Sequence, residues 1–375
     1  MPKMTDAQKR DIILEMLHQR DAIKTDEQSV RKMIDERLEF VPNKKLYKFR
    51  RCSIKNFKTL EENCIWMPPA NTFYDTFDCT INIDLQRNKR DIEVWLREKY
   101  PRLSYDLARG YCESHGVEMR QTFEDMVEYL QTCIDSNGDV IEEKEAAFLN
   151  RFVTAEEREL LEQSLDSLIE IRAKFMEHED AMIQVVHEAI EQMRTRMRDA
   201  MLVYCMAEHH DIGSLWENYA DVYKGFCIEY SFADYAEKPF EDYKNLVYLL
   251  PITYRARLPY FDMVPFFEGV IRQGIAQDTS WQRDPGLNAD LNMQLYYKKK
   301  EYAFEREWRF GINNKGNCKQ YFPFVSALYA GKDMKPGNLR RLCSIARKLR
   351  VPVYKQVPNR DNNGFDYEII REENV

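Results

Sequence analysis

Residues 296–310 read YYKKKEYAFEREWRF, with three lysines, three glutamates, two arginines and six aromatic residues in fifteen positions. Such a mixture of charge and rings has two readings. On a helix, Glu305 and Arg309 form an i,i+4 pair on a solvated face. On a strand, Glu305, Glu307 and Arg309 share one face, and Phe304, Arg306, Trp308 and Phe310 the other. The aromatic content, Gly311 and the turn signal at 313–316 favour helix or loop to about Lys300, then a strand ending near Phe310. Two glutamates on one strand face repel unless a cation or a ligand stands beside them, and Arg309 supplies one cation. That face is either an ion-pair ladder or the wall of a cleft.

A second set of chemically capable residues lies in PPANTFYDTFD, residues 68–78. Asn71, Asp75 and Asp78 alternate with Phe73, Tyr74 and Phe77, and aromatic residues in a loop need a surface to rest against. Other constellations carry less. His209-His210-Asp211 follows an apolar run, but vicinal histidines at a strand end face opposite sides and no third ligand is spaced for them. The nine cysteines form no CxxC pair, and the six histidines fit no zinc spacing. The chain has neither a GxGxxG nor a P-loop. The basic residues of 336–350 suit the C-terminal end of a helix dipole, and can alternatively meet phosphate.

These residues need elements to hold them. Residues 5–40 predict two amphipathic helices, the second opened by a Thr25/Gln28 capping box, and read as a packing arm. LYKFRR predicts a strand, and residues 56–78 a short helix, a short strand and a loop stopped by Pro68 and Pro69. From 84 to about 200 apolar positions recur at helical spacing, in DIEVWLREKY, in TFEDMVEYLQTCI and in a long run from a Thr154 cap. MLVYCMAE, an alternating FCIEYSF and LVYLLPITY predict strands, with a helix at 214–220 placing Leu215, Trp216, Tyr219 and Ala220 on one face. VPFFEGVIRQGIA predicts a further helix, and the tail reads strand, helix, strand, strand. The expected fold is α+β: a mixed sheet core (45–84 and 201–375) split by a long helical insertion (85–200), with an N-terminal helical arm (1–44).

The composition agrees with a folded chain. Of 375 residues, 44% are hydrophobic and 13% aromatic, which excludes global disorder, and the formal charge of -8 argues against a nucleic-acid coat. No apolar stretch reaches membrane length and no targeting signal is visible, so a cytoplasmic location with reduced thiols is expected.

Several segments, in order, resemble a bacterial and phage family known as domain of unknown function 2971: LYKFR, PANTFYDTFD, VYCMAE, LWENYADVYKGFCIEY and KKKEYAFEREWRF. The chain departs at FYDTFD, where Tyr74 and Thr76 replace the family's Asn and Pro. The order of motifs is also similar to that of the ADP-ribosyltransferase superfamily. That similarity implies NAD as a substrate, Tyr47 and Arg50 on an early strand, Trp216 and Tyr219 in the middle, and Glu307 on a late strand. Cleavage of a nicotinamide–ribose bond develops an oxocarbenium ion, which a carboxylate such as Glu307, with Glu305 beside it, stabilises. Arg50 or Arg309 can grip pyrophosphate, and Tyr219 or Trp216 can stack on nicotinamide. The implied acceptor is a protein or nucleic acid, with a bacterial defence or toxin role. A second copy or a partner protein would meet the helical insertion or the arm.

Two other readings stay open. Asp75, Asp78, Glu305 and Glu307 can hold a divalent ion for nuclease chemistry. Alternatively the chain is a non-catalytic sensor or interaction module. The first reading expects Tyr47, an arginine and Glu307 in one cleft, the second expects the four acids within metal-ligand reach, and the third expects no cleft.

Overall fold

The structure, a computed structural model, describes residues 3–19, 22–75, 77–114, 116, 154–155, 179–276, 279–313, 317–361 and 364–370. It divides into two compact units. The larger comprises Met1–Asn82, Met193–Phe261 and Asn288–Val375; the smaller comprises Ile83–Gln192 and Asp262–Leu287.

The larger unit is α+β and carries the strands. In chain order these are β1 (Lys45–Arg50), β2 (Cys64–Trp66), β3 (Met201–Ala207), β4 (Phe226–Ser231), β5 (Leu249–Pro251), β6 (Thr253–Arg255), β7 (Tyr297–Lys299), β8 (Glu307–Asn313), β9 (Lys319–Tyr321), β10 (Val325–Ala330), β11 (Val353–Pro358) and β12 (Phe365–Ile369). Eight form a mixed sheet in the order β12-β11-β10-β4-β1-β3-β8-β5. Only the β10–β11 pair within it is parallel, joined through the helix Pro336–Leu349; its other pairs are antiparallel. Short β2–β9 and β6–β7 pairs stand beside it.

FCIEYSF does not alternate as its sequence predicts. Phe226 to Tyr230 are all buried, because β4 is central and covered on both faces. LVYLLPITY is likewise not one strand: a 3-10 segment, Lys244–Tyr248, precedes β5 and β6. The residues at 5–40 do form helices, Asp6–His18 and Glu27–Leu38, but the capping box sits at Thr5/Gln8, and Asp26 rather than Thr25 caps the second. Ile13, Met16, Val30, Met33, Ile34 and Leu38 belong to the same core cluster as Leu46, Phe226 and Leu328.

The sheet is almost parted in the middle. β1 pairs with β4 along its whole length, and β3 pairs with β8 at all seven positions. Between themselves β1 and β3 pair only at Tyr47–Ala207. Beyond that bridge the strands separate, and Pro68 takes up the Val203 amide instead. Gly225 lets β4 start beside β1: a Cβ there would lie 2.2 Å from the Arg50 carbonyl oxygen.

In the smaller unit, helices cover Leu85–Glu98, Tyr100–Ser114 and Val264–Ala276. Trp95 packs edge-on to Phe267 at 5.8 Å, and the Asn88 side chain accepts a hydrogen bond from the Met263 amide at 2.8 Å. The helix Glu179–Ala200 leads into β3. TFEDMVEYLQTCI, residues 156–178 of the run that follows the Thr154 cap, and residues 314–316 lie outside the described residues. Among the described residues no helix is long and apolar enough to cross a membrane.

Candidate functional site

The opening between β1 and β3 holds a cavity of about 360 Å³, within the range of small-ligand sites. Four successive residues of β1, Tyr47 to Arg50, and five of β3, Val203 to Ala207, border it. Their alternating sides both reach the cavity because the strands are apart there. Trp66, Asp75, Asp78, Tyr219, Lys298, Tyr302, Glu305 and Glu307 also line it.

The two glutamates are placed by a local backbone device. Lys300–Glu305 is a 3-10 helix, Arg306 is left-handed at φ 43°, and β8 starts at Glu307. Contrary to the expectation from sequence, Glu305 therefore does not share the strand with Glu307, and β8 runs past Phe310 to Asn313. The left-handed residue turns both glutamates toward one lysine. Lys298, projecting from β7, lies 2.5 Å from Glu305 Oε2, 2.8 Å from Glu307 Oε2 and 3.7 Å from Asp78 Oδ2. Arg309 closes the other side, 2.6 Å from Glu307 Oε1 and 2.5 Å from Asp78 Oδ1, and its Nη1 donates to the Leu295 carbonyl at 2.6 Å. Tyr219 donates to Glu305 Oε1 at 3.1 Å, and the Glu307 amide donates to Tyr254 Oη at 2.8 Å.

The two glutamates are driven apart in acidity. Burial works to raise Glu307, but Arg309 and Lys298 outweigh it and hold its carboxyl well below the usual range. Glu305 is raised, by burial first; Lys298 pulls against the shift and the adjoining Glu307 charge adds to it. Burial would lower the Lys298 ammonium, but Glu307, Asp78 and Glu305 outweigh it and keep it charged. One carboxylate stays ionised beside another that holds its proton more readily, an arrangement suited to acid–base work.

Two cations line the same cavity. Lys48 Nζ donates to the Cys205 carbonyl, on the open edge of β3, at 2.5 Å, and stands 5.0 Å from the Tyr204 ring centre. Arg50 lies over the same ring at 5.2 Å and reaches the Trp66 carbonyl at 3.5 Å. Neither is ion-paired with a carboxylate among the described residues. Sequence reasoning missed Lys48 and Lys298. The period-two spacing of Lys48 and Arg50 on a strand was a usable signal; nothing marks which lysine of 298–300 turns inward.

Of the residues expected at the site, Tyr47, Arg50, Asp75, Asp78, Tyr219, Glu305 and Glu307 do line this cavity. Trp216 does not. It is wholly buried, edge-on to Phe49 at 5.3 Å, with its indole NH donating to the His210 carbonyl at 2.7 Å, so its ring is core and has no free face for a ligand. Arg309 does not line it either: its guanidinium is 2% exposed and saturated by Asp78, Glu307 and Leu295, which leaves no fork for pyrophosphate. Asp75 is engaged locally, its carboxylate accepting from the Phe77 amide at 2.8 Å. The metal arrangement of the four acids does not form. Lys298 and Arg309 occupy the space among Asp78, Glu305 and Glu307, and among the described residues no group of three or more His, Cys, Asp or Glu is placed to hold an ion. His209 and His210 separate, His209 against Arg306 and His210 stacked on Tyr329 at 4.5 Å.

No family model, no curated protein and no solved structure matches this chain.

Proposed function

We propose that the cleft cleaves the N-glycosidic bond of a nicotinamide nucleotide, with NAD the expected substrate, and passes the ribosyl group to water or to a protein or nucleic-acid acceptor. The observation that carries this reading is a cavity lined both by Lys48 and Arg50, which have no carboxylate ion pair among the described residues, and by two carboxylates of divergent acidity. The C1′–N bond breaks, and nicotinamide leaves as a neutral molecule with the electron pair. Glu307, held ionised, stabilises the oxocarbenium ion left at C1′. Glu305, with its greater proton affinity, takes the proton of the attacking water or acceptor. Tyr219 orients Glu305 through its hydroxyl. The motif order that resembles the ADP-ribosyltransferase superfamily supports the same reading.

The test is nicotinamide release from NAD by the purified chain, with and without protein and nucleic-acid acceptors. Release is expected, and Glu307→Gln should lower it by about a hundredfold or more, as for loss of a charge that stabilises a transition state. Absence of release under every acceptor condition overturns the activity. Release undiminished in Glu307→Gln overturns the assignment of that residue.

A further inference from the structure

Lys9 lies in the interior, 1% exposed, on the first helix, Asp6–His18. An apolar residue would pack there without desolvating a charge, so the ammonium has to be matched by particular partners. Its Nζ donates to Thr253 Oγ1 of β6. Thr253 Oγ1 donates in turn to Asp6 Oδ1 at 2.7 Å, and Arg255 of β6 pairs with Asp6 Oδ2. Tyr297 of β7 donates to the same oxygen at 3.5 Å. Two residues one turn apart on the arm thus grip both strands of the β6–β7 ribbon.

The other face of the ribbon belongs to the site. Neighbouring side chains on a strand point to opposite sides. Thr253 and Arg255 turn to the arm, and Tyr254 between them meets the Glu307 amide at 2.8 Å. Tyr297 turns to the arm, and Lys298 beside it meets Glu305 and Glu307. The register agrees: Thr253 pairs with Tyr297, and Tyr254 with Lys298. Two strands of three residues each do not hold such a geometry alone. We propose that Asp6 and Lys9 are positioning residues, which fix Lys298 and Tyr254 against Glu305 and Glu307 through the ribbon. The part this plays in catalysis rests on the function proposed above; the hold on Lys298 does not.

Lys298 is the cation that the two glutamates share, and it works against burial to lower both carboxyls. The other titratable groups around Glu305 are Glu307 on β8, Tyr219, Tyr254 on β6 and Lys48 on β1, with Asp78 and Arg309 held to the same cluster. Among the described residues only Lys298 forms an ion pair with Glu305. With the arm's grip lost, the ammonium is free to leave for solvent. Glu307 keeps Arg309 and stays ionised, whereas the Glu305 carboxyl rises further. A general base must be ionised to take a proton, so the acid limb of the rate moves to higher pH.

The experiment is acylation of the full chain by acetic anhydride, with the rate at each lysine read by mass spectrometry. Lys298, held charged among three carboxylates, should react slowly in wild type. Asp6→Ala and Lys9→Met should each speed its reaction about tenfold or more relative to the exposed Lys300, the effect of one unit of proton affinity. Ile13→Ala, which removes core packing from the same helix, should not. Should Lys9→Met fail to fold, Asp6→Ala, at a half-buried first-turn position, decides alone. Unchanged Lys298 rates in the folded variants, or an equal rise in Ile13→Ala, overturn the positioning. The pH profile of nicotinamide release separates the two proposals. In Asp6→Ala its acid limb should lie at higher pH than in wild type. Labelling that depends on Asp6, without release from NAD by any form, keeps the hold on Lys298 and rejects the activity. Release whose acid limb does not move in Asp6→Ala, despite faster labelling, keeps the activity and rejects the catalytic part of the proposal.

Discussion

Glu305 and Glu307 are two residues apart and carry the same side chain, yet their surroundings treat them oppositely. Glu307 has two cations and lies below the usual carboxylate range; Glu305 shares one cation and lies above it. The consequence for stability can be worked out by sign. A carboxyl lowered on folding contributes stability above its unfolded value, near 4.5, and loses it as pH falls through the folded value. A carboxyl raised on folding contributes in the opposite sense: its share is present below the unfolded value and is lost as pH rises through the folded one. Thermal melts from pH 6 down to pH 3 should therefore show a shallower loss of stability in Glu307→Gln than in wild type, and a steeper one in Glu305→Gln. Equal slopes in all three proteins would show that the two carboxyls titrate alike. These residue types and their nearness in sequence were legible; the opposite environments were not, because Lys298 and Asp78 reach them from other parts of the chain.

At the scale of elements, two left-handed turns position the site. One is Arg306. The other is the run Asp221, Val222 and Tyr223, with φ of 51°, 50° and 62°, directly after the helix that presents Tyr219. Such backbone is costly for residues with a Cβ, and most of all for a β-branched one. Tyr223 offsets part of the cost: its ring stacks parallel to Trp216 at 6.1 Å, and its carbonyl accepts from the Asp333 amide at 3.1 Å. Val222 is 57% exposed and so offers little packing in return. Val222→Gly should relieve the conformation and raise stability by about 1 kcal/mol, less the extra freedom glycine has in the unfolded chain. Chemical denaturation measures it, and a loss of stability would show that the valine side chain matters more than its backbone. Sequence periodicity located this helix and the strands on either side. It could not show the left-handed turns, since neither contains glycine or asparagine at those positions. The same blindness explains why Glu305 was expected on the strand.

Across the larger unit, the N-terminal helices and the cleft strands share one core. Ile34 is fully buried in the cluster that also contains Leu46 of β1 and Leu202 and Val203 of β3. Ile34→Ala should cost about 2–5 kcal/mol, as for other large-to-small core changes. Hydrogen exchange should then accelerate in β1 and β3 as well as in Glu27–Leu38; acceleration confined to the helix would mark it as a separately unfolding arm. The sequence by itself determined the α+β class and most strands, because period-two patterns, turn residues and aromatic content are local properties. Only the tertiary structure decided that Trp216 and Arg309 are interior, that Lys48 and Lys298 belong to the site, and that YYKKKEYAFEREWRF bends at Arg306. Those outcomes depend on which distant groups pack together and on where the sheet parts between β1 and β3, and no local pattern encodes either.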